Sequence, residues 1–194
     1  MNRAPRKNAV KLPAYWRREL DRILISEAQI EFRIAKMASE IERHYKDREL
    51  VIVALLNGTV MFLADLIRNL RLPLRLDFIG VSSYGSGTHS RRLVFTKELK
   101  LDVRGRDVLL VDDILDTGRT LHRVSEKVRK LAPASLNVCV FLEKKARRLK
   151  AVDAKYVGFQ IPDHFVVGYG LDYAERYRNL PFVGVLQKHV YSNE

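Results

Sequence analysis

The sequence predicts an α/β fold, a mostly parallel twisted sheet flanked by helices. Apolar runs of strand length recur at 50–56, 107–111 and 136–142, without the polar alternation of a half-exposed strand. Segments with apolar residues at helical spacing stand between those runs. Polar motifs follow where the runs stop, and parallel sheets carry their sites at those ends.

Residues 1–22 have weak periodicity, contain Pro5 and Pro13, and read as a loose basic arm ending in a short helix. Residues 23–194 then read as a single domain. Ser26 followed by Gln29 is a capping box. With Ile30, Ile34, Met37 and Ile41 behind it, a helix is predicted over 26–46. The run 50–56 (LVIVALL) predicts a strand covered on both faces, and Asn57-Gly58 breaks it. Met61, Leu63, Ala64, Leu66, Ile67 and Leu70 predict a second helix that stops before Pro73. A strand is expected over 76–82, a polar glycine-containing loop over 84–92 and an edge strand over 93–99. The remaining elements are strands at 107–111, 136–142 and 156–159, with a helix over 119–131.

The 194 residues are 47% hydrophobic and 30% charged, enough to bury the core of one domain. No apolar run approaches the ~20 residues of a membrane span. No apolar stretch follows the first basic residues, so no secretory leader is expected. Cys139, the only cysteine, lies between Val138 and Val140 and reads as a buried strand residue. These features point to a cytoplasmic protein without a disulfide framework. The net charge of +12 favours anionic ligands, either small phosphates or nucleic acid. Seven Arg or Lys fall in residues 1–22, and Lys144, Lys145, Arg147, Arg148 and Lys150 form a second cluster. A solvated tail and a solvated loop are the plain readings of both.

The segment with most chemistry is 108–121, VLLVDDILDTGRTL. An apolar strand runs into Asp112-Asp113, adjacent carboxylates that repel each other unless solvent, a hard cation or ligand hydroxyls compensate. Asp116, Thr117, Gly118, Arg119 and Thr120 then open a helix, whose first amides are unpaired and suit an anion. A capped helix start would explain Asp116 or Thr117 but leaves the two preceding acids unexplained. Carboxylates beside an anion nest suit a phosphorylated sugar. The segment is neither a Walker loop nor a dinucleotide fingerprint, since no G-x-x-x-x-G-K occurs and Gly85-Ser-Gly87 lacks a third glycine. The five histidines have no zinc-ligand spacing.

This segment resembles the phosphoribosyl-pyrophosphate motif of type I phosphoribosyltransferases, and Asp116 before Thr-Gly resembles their 6-oxopurine branch, the hypoxanthine-guanine phosphoribosyltransferases. Three further stretches agree. Residues 55–65 (LLNGTVMFLAD) are similar to the family's pyrophosphate loop and following helix, 81–85 (VSSYG) to the start of its flexible loop, and 157–173 (VGFQIPDHFVVGYGLDY) to its purine-binding hood. The resemblance covers residues 23–190 and implies the type I phosphoribosyltransferase fold. A small hood would come from the N- and C-terminal segments, largely from 156–194.

The activity it implies is purine salvage: transfer of ribose 5-phosphate from phosphoribosyl pyrophosphate to N9 of hypoxanthine, with guanine and xanthine as further bases, releasing pyrophosphate. Mg²⁺ is the implied cofactor, with Asp112 and Asp113 at the ribose hydroxyls and metal waters and Asp172 at a second ion. The turn of Asp116, Thr117, Gly118, Arg119 and Thr120 would hold the 5-phosphate. Asp116 would act as general base toward the purine N7 proton. Lys144 would read O6, Ile114 and Phe165 would sandwich the ring, and Val166 and Asp172 would meet its 2-position side. Asn57, Gly58 and Arg178 would bind pyrophosphate. Ser83 and Tyr84 would begin the loop that closes over the site. Many family members have Lys where Asn57 stands, after a peptide that is often cis; here the role of that position rests on backbone geometry. A homodimer or homotetramer is the implied assembly. A competing reading is an RNA-binding regulator on the same fold. The basic arm permits it, but no aromatics are interleaved with the basic runs as stacking platforms.

Overall fold

The computed structural model describes residues 12–84 and 92–192. Arg3, Arg6, Lys7 and Lys11 of the arm, and most of the loop expected over 84–92, lie outside the described residues. In chain order the elements are β1 (Leu20–Ile25), α1 (Glu27–His44), β2 (Leu50–Leu56), α2 (Val60–Asn69), β3 (Leu74–Tyr84), β4 (Arg92–Lys97), β5 (Asp107–Leu115), α3 (Arg119–Arg129), β6 (Ser135–Glu143), β7 (Tyr156–Gln160), β8 (Val166–Val167), β9 (Val183–Leu186) and α4 (Lys188–Tyr191). Six strands form one sheet in the order β4-β3-β2-β5-β6-β7, and β1, β9 and β8 form a small antiparallel sheet. The large sheet is parallel except for the edge strand β4. This is the predicted architecture, hood included.

Successive side chains in a strand point to opposite faces, so an unbroken apolar run feeds two cores at once. In β2, Leu50, Ile52 and Ala54 join the core under α1 and α2, while Val51, Val53 and Leu55 join the core under α3. β5 and β6 divide in the same way, with Leu109, Val111, Cys139 and Phe141 on the first side and Val108, Leu110, Val138 and Val140 on the second. Cys139 is fully buried, and burial pushes its thiol pKa up, away from reactivity. The capping box forms as predicted: Ser26 N donates to Gln29 Oε1 at 2.9 Å, and Gln29 N donates to Ser26 Oγ at 3.4 Å.

Three differences from the sequence reading have tertiary causes. The arm expected to end at residue 22 contains a 3₁₀ turn at Ala14–Trp16 and the start of β1, which pairs antiparallel with β9 from the far end of the chain. Trp16 packs against Tyr177 at 5.5 Å with the rings tilted by 55°, and the Tyr177 hydroxyl donates to Glu19 at 2.7 Å, so this segment is part of the hood. β3 is longer than 76–82 because β2 pairs with it from Leu74 and β4 continues its pairing to Tyr84. β5 runs past Val111 to Leu115 because β6 keeps pairing with it after β2 has stopped. No helix among the described residues is long and apolar enough to cross a membrane.

Candidate active site

The extension of β5 places both acids inside a strand. Asp112 is 8% exposed, and its Oδ1 accepts from Thr59 Oγ1 at 3.2 Å and from Asp113 N at 3.0 Å. Burial, then the Asp113 charge, pushes the Asp112 carboxyl well above the usual carboxylate range. Burial also raises Asp113, and the nearby Arg178 guanidinium opposes that rise. The pair therefore carries an excess of acid that its protein neighbours only partly offset. Thr59 stands at the N-cap of α2, yet its side chain makes no cap hydrogen bond and serves Asp112 instead.

The turn after β5 is built around Gly118, the N-cap of α3, with φ +79°. A Cβ there would lie 2.3 Å from the Lys150 carbonyl, so both backbone conformation and space demand glycine. The first helical hydrogen bond of α3 runs from His122 N to Gly118 O at 2.9 Å; Arg119 N meets Thr117 Oγ1 at a long 3.5 Å, and the amides between them face no helical acceptor. The Thr117 carbonyl accepts from Leu149 N at 2.9 Å and Lys150 N at 3.0 Å, and Lys144 N donates to Leu115 O at 2.9 Å. The loop after β6 is thereby stitched to the turn that opens α3.

That stitching separates the cations of the second basic cluster. Lys145, Arg147 and Lys150 are exposed, whereas Lys144 is only 7% exposed. Burial lowers the Lys144 pKa, while the charges of Asp116 and Asp163 favour its ammonium form. Arg148 Nη2 donates to Glu143 Oε1 and to Lys144 O, each at 3.1 Å. Asp116 Oδ1 is buried and has no hydrogen-bond partner among the described residues.

A third segment closes on the acids from the hood. A Cβ on Gly58 would fall within 1.8 Å of Asp113 Oδ2, and one on Gly170 within 2.0 Å of Gly58 O. The Asp113 carboxylate thus packs on the Gly58 backbone, and the hood turn at Gly170 meets Gly58 backbone to backbone. Arg178 Nη1 donates to Gly170 O at 2.9 Å, and its Nη2 pairs with Asp172 Oδ1 at 3.0 Å. The Leu56–Asn57 peptide is cis, and Asn57 is exposed.

Gly58, Asp112, Asp113, Ile114, Asp116, Thr117, Gly118 and Thr120 line one cleft of about 270 Å³. Asn57, Arg119, Lys144, Phe165, Val166, Asp172 and Arg178 do not line it. Ser83 and Tyr84 end β3 and pair through their backbone with Leu93 and Arg92 of β4. Val166 is buried in the hood strand β8, and Phe165 beside it is 37% exposed. No three His, Cys, Asp or Glu side chains among the described residues gather into one metal cluster, so Asp172 stands apart from Asp112 and Asp113. Sequence reasoning missed Thr59, Arg148 and Tyr191. Tyr191 stacks on Phe165 at 4.7 Å and 21°, from a helix of four residues too short to leave a periodic signal. Thr59 could have been found, because it is a hydroxyl two residues past the Asn57 break.

Residues 22–174 match the phosphoribosyl transferase domain family. The chain is 50% identical over 165 residues to the hypoxanthine phosphoribosyltransferase of Salmonella typhimurium, covering 84% of this chain and 93% of that protein. It is 46% identical over 176 residues to the hypoxanthine-guanine phosphoribosyltransferase of Staphylococcus epidermidis, covering 90% and 98%. Its fold is similar to the crystal structure of a hypoxanthine phosphoribosyltransferase from Staphylococcus aureus, with a TM-score of 0.89 at 40% identity, covering 94% of this chain and 100% of that one.

Proposed function

This chain belongs to the hypoxanthine-guanine phosphoribosyltransferases, enzymes of purine salvage, and from that premise we propose how its own residues divide the reaction. The substrates are phosphoribosyl pyrophosphate and a 6-oxopurine. N9 of the base attacks ribose C1 as the bond from C1 to pyrophosphate breaks, and the base loses its N7 proton. Charge builds at C1 in the transition state, as in glycoside hydrolysis.

The amides of the 116–120 turn, with Thr117 and Thr120, hold the 5-phosphate. Asp112 and Asp113 face the ribose hydroxyls. Gly58, the backbone at Asn57 and Arg178 bind pyrophosphate. Asp116 takes the N7 proton, a role supported by its buried oxygen without a partner among the described residues. Ile114 and Phe165 flank the ring, and Val166 and Asp172 meet its 2-position side. Ser83 and Tyr84 begin the segment that excludes water from the activated sugar.

The acid pair has the chemistry of a hard-cation site: adjacent carboxyl groups, Asp112 buried and Asp113 half-buried, whose ionised forms burial disfavours and a bound cation would stabilise. Asp112 and Asp113 would hold one Mg²⁺ through ribose hydroxyls and waters, and Asp172 a second. Bound there, the cation neutralises charge on the departing pyrophosphate. A homodimer or homotetramer belongs to the same reading.

The observation that carries the base assignment is Lys144, buried at the end of β6 and tied through its own amide to Leu115, next to Asp116. Its ammonium donates, which matches O6 of hypoxanthine and opposes the 6-amino group of adenine. Purified protein with phosphoribosyl pyrophosphate and Mg²⁺ should convert hypoxanthine to IMP and leave adenine unused. Absence of both nucleotide and pyrophosphate with hypoxanthine, guanine and xanthine alike would sink the proposal.

A further inference from the structure

The hood turn that meets the pyrophosphate loop has an improbable backbone. Gly168, Tyr169 and Gly170 take φ values of +98°, +52° and +95° in succession. Two glycines adopt that region freely, but a tyrosine between them does not. Its ring packs against Phe141 at 4.9 Å, and its hydroxyl donates to Asp65 Oδ2 at 2.5 Å. Tyr169 is 7% exposed, so its hydroxyl needs a partner.

Asp65 lies on α2, the helix that begins directly after Gly58 and Thr59. One hydrogen bond therefore joins the helix leaving the pyrophosphate loop to the turn presenting Gly170, and Gly170 bonds on both sides to Arg178. Gly170 N donates to Arg178 O at 2.9 Å, and Arg178 Nη1 donates to Gly170 O at 2.9 Å. The contact of Gly170 with Gly58 leaves no room for a side chain, so a small slip of the turn alters the spacing between the Gly58 amide and the Arg178 guanidinium. Asn57 contributes no positive charge to this corner, which makes the placement of Arg178 the more important.

We infer that Asp65 and Tyr169 are positioning residues for pyrophosphate recognition: their hydrogen bond fixes the hood turn against the loop and so sets Arg178 relative to Gly58. Neither side chain touches the substrate. The inference rests on the assignment of pyrophosphate to this corner.

The test uses Tyr169→Phe, which keeps the ring and removes only the hydroxyl, and Asp65→Ala, which removes the acceptor from the other side. Asp65→Asn keeps a side-chain oxygen as acceptor. KM is measured for phosphoribosyl pyrophosphate, for hypoxanthine and, in reverse, for pyrophosphate. Losing one hydrogen bond should raise KM for phosphoribosyl pyrophosphate and pyrophosphate roughly three- to tenfold. KM for hypoxanthine should stay within about twofold, and Asp65→Asn should restore most of the loss. The double variant Tyr169→Phe/Asp65→Ala should be no worse than either single change. Parallel rises in both KM values, or none in folded protein, would overturn the link; should Tyr169→Phe fail to fold, Asp65→Ala reads the same loss. Pyrophosphate titration of the wild type and of Arg178→Gln separates the underlying assignment. Equal binding by both, or none by the wild type, would remove pyrophosphate from this corner and the link with it.

Discussion

Asp116 occupies a position where sequence logic allows two roles, a helix cap or a general base. A cap oxygen is spent on an amide, but Oδ1 of Asp116 is buried without a partner among the described residues. Asp116→Asn preserves shape and removes basicity, so turnover at saturating substrate should fall roughly 10²–10⁴-fold while the protein stays folded. A near-normal rate in a pH-independent assay of that variant would take Asp116 out of the reaction. Lys144 shows where residue-level reading stops. Among five neighbouring cations nothing in composition singles it out, and only the resemblance did so. In the structure it is the buried lysine of that cluster, because the loop is pulled back onto the 116–120 turn at Thr117.

At the scale of elements, the hairpin of β3 and β4 is fastened by one buried acid outside the cleft. Asp77 accepts from Lys97 Nζ at 3.0 Å, Phe78 N at 2.7 Å, Lys100 N at 2.6 Å and Leu101 N at 2.9 Å. Burial alone would raise its pKa, but these donors outweigh it and hold the carboxyl at about 2. A depressed native pKa adds stability that is fully present above the unfolded value near 3.8 and is lost as pH falls through about 2. The shift corresponds to about 2 kcal/mol. Asp77→Asn should therefore lower unfolding stability by about that amount at pH 7. The gap from wild type should narrow between pH 4 and pH 2 in denaturant titrations. A gap constant over that range would mean that the anion is not the source. The sequence marked the apolar strand around Asp77 but gave no sign of this latch, since two of its four donors are backbone amides 23 and 24 residues away.

The molecule as a whole carries +12, and its two substrates differ sharply in charge. A field of that sign attracts the pyrophosphate-bearing sugar and leaves a neutral purine indifferent. Raising ionic strength from about 0.02 to 0.3 M shortens the screening length severalfold. KM for phosphoribosyl pyrophosphate should rise with it, and KM for hypoxanthine should change little. Equal salt sensitivity for both substrates would show that the net charge serves something other than substrate capture.

Local signals determined the central sheet strands, the capped helix α1, the glycine turn at 116–120 and the acids before it. Each is encoded over a few neighbouring residues by apolar period, a capping pair or a glycine where φ is positive. Tertiary structure decided that the N-terminal share of the hood begins as early as Leu20, inside the arm, and that β5 carries its acids inside the strand. It also decided that Lys144 is buried and that Tyr169 reaches Asp65 across 104 positions. These depend on partners distant in sequence, whose approach is set by sheet order and packing and leaves no period or spacing to read.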